Sequence, residues 1–153
     1  MNVLELKIPP AVVTLIVALG MWGASLLVPS FYLPVTVRVS AGLILVAVGL
    51  CVIIAGGISF RRARTTVNPT RPASASSLVI SGVYSITRNP MYLGMLFILF
   101  GWAAFLLNAL SLALVAIFVV YINRFQIYPE ERALSALFDA EYASYQARVR
   151  RWL

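Results

Sequence analysis

The chain has 153 residues, 61% of them hydrophobic and 11% charged, and carries a formal charge of +7. Soluble domains carry about 25% charged residues, so this composition belongs to a protein solvated largely by lipid. With one cysteine and no histidine, an intrachain disulfide and a His-activated nucleophile are excluded, and a structural zinc site is disfavoured.

The first uncharged run starts at Ile8 and predicts a span over about 8–28, with Pro9 and Pro10 suited to a first helical turn. It lacks a basic leader and is too long for a signal-peptide core, so it reads as a span and not a cleavable signal. Pro29 to Pro34 forms a short connection with Phe31 and Tyr32 at interface depth. A second span follows over about 35–57, with Arg38 placed to snorkel near its outer end. Residues 58–90 read as a loop, irregular from Arg61 to Ser81 and linker-like by composition.

Met91 to Asn123 is uncharged for 33 residues. One helix of that length would be about 50 Å long, well beyond a hydrocarbon core of about 30 Å. Two spans over about 91–107 and 109–124, meeting at Asn108, fit better. A last helix over about 129–150 carries Leu134, Phe138, Tyr142, Tyr145, Val149 and Trp152 on one apolar stripe. Arg132, Arg148 and Arg151 flank it, the pattern of a helix lying in the membrane interface. The expected fold is thus all-α and polytopic: about four spans and an amphipathic C-terminal helix.

With four spans, 11 of the 12 basic residues fall on one side. The positive-inside rule makes that side cytoplasmic, with both termini there, and accounts for the net charge without nucleic acid. Two polar clusters border the membrane on this side. In the first, Arg88-Asn89-Pro90-Met91-Tyr92, Pro90 fits the first position of the third span and Asn89 its N-cap. Such a helix start suits an anionic group, although a plain membrane-entry turn anchored by Arg88 and Tyr92 explains the same residues. In the second cluster, Pro129 is expected to break or restart the helix, since it disfavours helical geometry at Tyr128. Glu130 and Glu131 follow in a first turn, where acids are favoured anyway. They are two of only five acids in the chain, near Arg124 and Arg132, and a carboxylate here suits an ammonium or sulfonium cation.

These clusters and their flanks resemble the isoprenylcysteine carboxyl methyltransferase and phospholipid methyltransferase superfamily of integral membrane enzymes. The resemblance covers roughly Gly49 to Leu153. It runs through Thr65-Thr66-Val67-Asn68-Pro69, Leu78-Val79-x-x-Gly82-Val83-Tyr84 and Arg88-Asn89-Pro90-Met91-Tyr92-Leu93-Gly94. Glu130-Glu131-x-x-Leu134 and Phe138-Asp139-Ala140-Glu141-Tyr142-x-x-Tyr145 complete it. Each motif is weak alone; their order, with two spans between the arginine-proline motif and the paired glutamates, is specific.

The resemblance implies a cytoplasmic pocket for S-adenosylmethionine. Leu78, Val79 and Tyr84 would line its adenosine side, Asn89, Pro90, Met91 and Tyr92 its amino-acid side, and Glu130 would meet its charged end. Arg88 and Arg124 would face cofactor or acceptor, and the linker-like loop would form a wall or lid. Many members have His at Asn89, and the family's Phe-Gly-x-x-Tyr becomes Phe138-Asp139-Ala140-Glu141-Tyr142 here. The arginine that meets the acceptor carboxylate in prenylcysteine enzymes would fall near Gln126, where only Arg124 is close.

Methyl transfer needs little covalent help, so catalysis is expected to be mainly proximity; an ammonium acceptor would need a base, for which Glu131, or Glu130 if the cofactor does not engage it, is the nearby candidate. The acceptor is expected to be lipophilic: a prenylated cysteine, an amino-headgroup phospholipid, an isoprenoid, or a small thiol or acid. A metal is not required. The rival reading is a small four-helix transporter, against which stands the absence of charged residues from Ile8 to Val35, from Val39 to Phe60 and from Met91 to Asn123. A third is a cofactor-binding relative without catalysis.

Overall fold

The computed structural model describes residues 5–63 and 77–153. The motif Thr65 to Pro69, most of the linker-like loop, and Arg64 and Arg71 lie outside the described residues. Five α-helices follow in order: α1 Pro10–Leu27, α2 Val35–Arg62, α3 Pro90–Leu106, α4 Ala109–Ile122 and α5 Tyr128–Arg148. A 3-10 turn, Gly82–Ser85, precedes α3, and a π-helical turn, Asn123–Ile127, joins α4 to α5.

Three helical stretches are long and apolar enough to cross a membrane: α1, α2 and the continuous run Ala109–Arg148; α3 is apolar but shorter. Leu15, Leu19, Ile44, Ile117 and Val120 stand on the outside of the bundle, an apolar surface that lipid solvates and water would not. The protein is an all-helical polytopic membrane protein. Its interior centres on Met21, Leu99, Phe118, Ile122 and Ile127, with Tyr92 at one end.

Helix ends follow local chemistry. Pro10 starts α1, and Pro34 is the residue before α2. The chain reverses between α3 and α4 at Leu107, whose φ is +50°, and the buried Asn108. The Asn108 side chain accepts from the backbone N–H of Leu110 at 2.9 Å and donates to the Val28 carbonyl at 2.6 Å. It therefore caps α4 and ties it to the end of α1. The Arg38 guanidinium donates to the Phe105 carbonyl and lies 5.6 Å from that residue's ring centroid. A cation at the last turn of α3 is well placed for the helix dipole.

Helices α2 and α3 meet backbone to backbone along Gly42, Gly49 and Gly56 on one side and Gly94 and Gly101 on the other. A Cβ at Gly49 would stand 2.5 Å from the Gly94 carbonyl oxygen, and one at Gly101 would stand 2.7 Å from that of Gly42. In lipid, close van der Waals contact of this kind drives helix association. The seam ends where Pro90 and Met91 pack over Gly56, so it fixes the start of α3 against α2.

Pro129 does not break the helix, contrary to expectation. Tyr128 keeps helical angles of −59° and −45°. Two adjustments remove the cost. The π-turn moves the Tyr128 N–H onto the Asn123 carbonyl, and the carbonyl four residues before the proline, Phe125, instead accepts the Leu6 N–H at 3.0 Å.

The last helix also departs from a plain stripe. It bends at Asp139, whose φ is +35° and ψ −110°, and gives way to extended chain at Val149. Leu134, Phe138, Tyr142, Tyr145 and Val149 do cluster, together with Leu78. Trp152 lies beyond the helix, packs against the bundle interior and donates its indole N–H to Asn123 Oδ1 at 3.2 Å.

Candidate active site

Two segments far apart in sequence build one end of the bundle: the entry to α3 and the start of α5. Tyr92, in the first turn of α3, donates its hydroxyl hydrogen to Glu130 Oε1 at 2.6 Å. Its neighbour Glu131 accepts from Arg88 Nη2 at 2.9 Å and from Arg151 Nη2 at 2.6 Å. The paired glutamates thus have different surroundings. Glu131 is held by two guanidinium groups, whereas Glu130 has no cationic partner among the described residues.

Glu130 is half-buried by surface area, yet protein atoms crowd its carboxyl enough to strip most of its hydration. That desolvation, reinforced by the nearby Glu131 charge and opposed by the Tyr92 hydroxyl, pushes its pKa up to about 8. At neutral pH a group in this state is mainly the neutral carboxylic acid. Burial and the Glu130 charge also push the Tyr84 hydroxyl far above the ordinary phenol range, so it stays protonated.

The entry to α3 is held by the returning C-terminal chain. The Arg88 N–H donates to the Arg150 carbonyl at 3.0 Å, and Thr87 pairs with Arg150 as a single parallel bridge. Arg88 Nη1 donates to the carbonyls of Gln146 and Val149, capping the end of α5. Asn89 holds the N-cap position, but its side chain does not cap α3; its amide donates to the Arg151 carbonyl at 2.9 Å. Tyr145 donates its hydroxyl hydrogen to the Tyr84 carbonyl at 2.7 Å. The positive φ of Gly82 (+66°) begins this turn, and a Cβ there would stand 2.8 Å from Ser59 Oγ.

Most of the sequence-derived candidates therefore converge. Tyr84 packs edge-on against Phe60 at 5.3 Å, Val79 is buried, and Leu78 joins the Tyr142–Tyr145 cluster. Pro90 is buried and Met91 faces α2. Arg124 is the exception: it pairs with Glu5 at 2.9 Å. Sequence reasoning missed Arg151, which lies 4.5 Å over the Tyr128 ring besides binding Glu131. It also missed Thr87, Tyr145 as a hydrogen-bond donor, and Glu5. Two of these had a signal: Tyr145 closes a motif of the resemblance, and Glu5 is one of five acids in the chain.

A helical membrane protein with paired glutamates at one end of its bundle, one ion-paired and one held by a tyrosine, is the class that the fold and the site define. The phospholipid methyltransferase family profile matches residues 37–141. The chain is 48% identical over 63 residues to an uncharacterized protein of Haemophilus influenzae, covering 41% of this chain and all of that one. It is 40% identical over 83 residues to the protein-S-isoprenylcysteine O-methyltransferase of Saccharomyces cerevisiae, covering 52% of this chain and 34% of that protein. No solved structure matches. The chain belongs to the phospholipid methyltransferase family, and its helices make it a membrane member.

Proposed function

We propose that the chain is an S-adenosylmethionine-dependent methyltransferase working at the cytoplasmic membrane boundary on a lipophilic acceptor. The observation that carries this reading is Glu130, an enclosed carboxyl held by Tyr92 and without a cationic partner among the described residues. A sulfonium has the charge this position lacks. Leu78, Val79 and Tyr84 offer the apolar side for an adenosine, and Asn89 to Tyr92 the side for its amino acid. When bound, S-adenosylmethionine supplies a methyl group already activated for in-line displacement.

The residues of the chain then act by placement. Tyr92 orients Glu130, and Arg88 and Arg151 occupy Glu131, leaving Glu130 as the acid that meets a cation. Glu131, with two guanidinium partners, is poorly suited to take a proton. A thiolate or carboxylate acceptor needs no base, and this favours such acceptors over an ammonium. Orientation of the reactants contributes up to roughly 7–11 kcal/mol, and exclusion of water by the tyrosine cluster adds to it.

Calorimetry of the detergent-solubilised chain with S-adenosylmethionine tests the reading. Saturable binding is expected in the wild type, weakened at least tenfold in Glu130→Ala. No binding in the wild type overturns the proposal, and equal affinity in the variant removes Glu130 from the site. Radiolabelled methyl transfer into a membrane-lipid extract then separates a catalyst from a non-catalytic binder and identifies the acceptor.

A further inference from the structure

The segment before α1 is tied to the α4–α5 junction at four points. The Glu5 carboxylate, only 4% exposed, accepts from Arg124 Nη1 at 2.9 Å and from Arg132 Nη2 at 2.7 Å. Those arginines stand on either side of Glu130 in the chain, one in the π-turn and one in α5. The Leu6 N–H donates to the Phe125 carbonyl that Pro129 leaves without its helical donor. Gln126, fully buried, donates its amide hydrogen to the Ile8 carbonyl at 2.7 Å. Leu6 sits at φ +58°, a conformation a leucine keeps only where surrounding bonds hold it.

A π-turn is less stable than the helix around it and persists where side chains or foreign donors supply what it lacks. Here the partners of Arg124, Phe125 and Gln126 come from residues 5–8, while Trp152 donates to Asn123. The direction of Glu130 depends on the turn, because the extra residue rotates α5 relative to α4.

We propose that Glu5 is a positioning residue: with Leu6 and Ile8 it forms a strut across the π-turn that aims Glu130 at Tyr92 and the binding site. The role of this strut in cofactor affinity rests on the methyltransferase reading above, whereas its role in holding the junction does not. Ionised Glu5 is stabilised first by the Arg124 hydrogen bond and also by the Arg132 charge, which hold its pKa below the usual carboxylate value.

Two measurements on the full chain in detergent test this together. Amide hydrogen exchange is followed in residues 123–132 and, as reference, in residues 42–57 of α2. Glu5→Gln is expected to speed exchange at least tenfold in 123–132 and leave 42–57 unchanged; Arg132→Gln, which removes one of the two cations, gives a smaller local increase. The charge swap Glu5→Arg with Arg132→Glu recovers part of the protection. Unchanged exchange at 123–132, or an equal rise in both regions, overturns the strut. S-adenosylmethionine affinity is measured alongside. A wild type that does not bind sinks the methyltransferase reading, while exchange still decides the strut. If Glu5→Gln loosens the junction but shifts affinity by less than twofold, the link from strut to Glu130 is overturned.

Discussion

Affinity for a cationic cofactor should depend on pH through Glu130, and the size of the effect follows from its surroundings. Without a cation its carboxyl has a pKa of about 8, so it is half ionised at pH 8 and about one-hundredth ionised at pH 6. A sulfonium needs the carboxylate and returns its pKa toward the ordinary range. Binding near pH 7 therefore releases close to one proton, and affinity should fall about fiftyfold from pH 8 to pH 6, or about 2 kcal/mol. Calorimetry in two buffers of different ionisation heat counts the proton directly. Glu130→Gln removes the slope and corrects for titration of the cofactor itself, and S-adenosylhomocysteine, which has no sulfonium charge, should show almost none. Wild-type affinity that is flat from pH 6 to 8 refutes the reasoning. In the unliganded protein the sign is opposite. A raised carboxyl pKa means the folded state holds the extra proton, so the stability linked to Glu130 is fully present below about pH 4.5 and is lost as the pH rises to about 8.

Three further predictions concern the scaffold. Gly49→Ala places a methyl group against the Gly94 backbone and should cost about 1–3 kcal/mol in thermal or denaturant unfolding, whereas Gly57→Ala, with open space around it, should be neutral. Asp139→Gly should stabilise the chain by about 1 kcal/mol, since glycine adopts the positive φ there without strain; an unchanged or lower melting temperature contradicts this. Arg88→Gln removes one of the two guanidinium partners of Glu131, leaving Arg151, and frees the end of α5, with an expected loss of about 2 kcal/mol. Limited carboxypeptidase digestion should then remove residues 149–153 faster than in wild type.

The sequence disclosed features that depend on one segment at a time. Span lengths follow from apolar runs, and the reversal at Asn108 follows from a polar cap inside a run too long for one crossing. The acids at 130 and 131 stand out by their rarity, and the resemblance singles out Glu130, but the double ion pair of Glu131 was not legible: it rests on Arg151, which returns from the tail. Bonds such as Asn89 to the Arg151 carbonyl use backbone acceptors that every residue type provides, and so leave no trace in composition. The same holds for Pro129. Local rules predict a break there, and the break is averted by an N–H from Leu6, 119 positions from Phe125. The family glycine replaced by Asp139 did mark a real place, the one bend within α5.

The glycines of α2 recur every seven residues, at 42, 49 and 56, and meet those of α3 at 101 and 94. Because a helix advances about 100° per residue, inserting a single residue between two of them would turn every later glycine off the contact line and push a side chain into the α3 backbone. A heptad insertion restores the alignment to within about 20°. The length of this hairpin is therefore quantised: related chains can lengthen or shorten α2 within the seam in steps of seven, matched by the same step in α3, and can vary freely only beyond its ends. Alignments that place single-residue gaps between positions 42 and 56 would be misaligned on physical grounds.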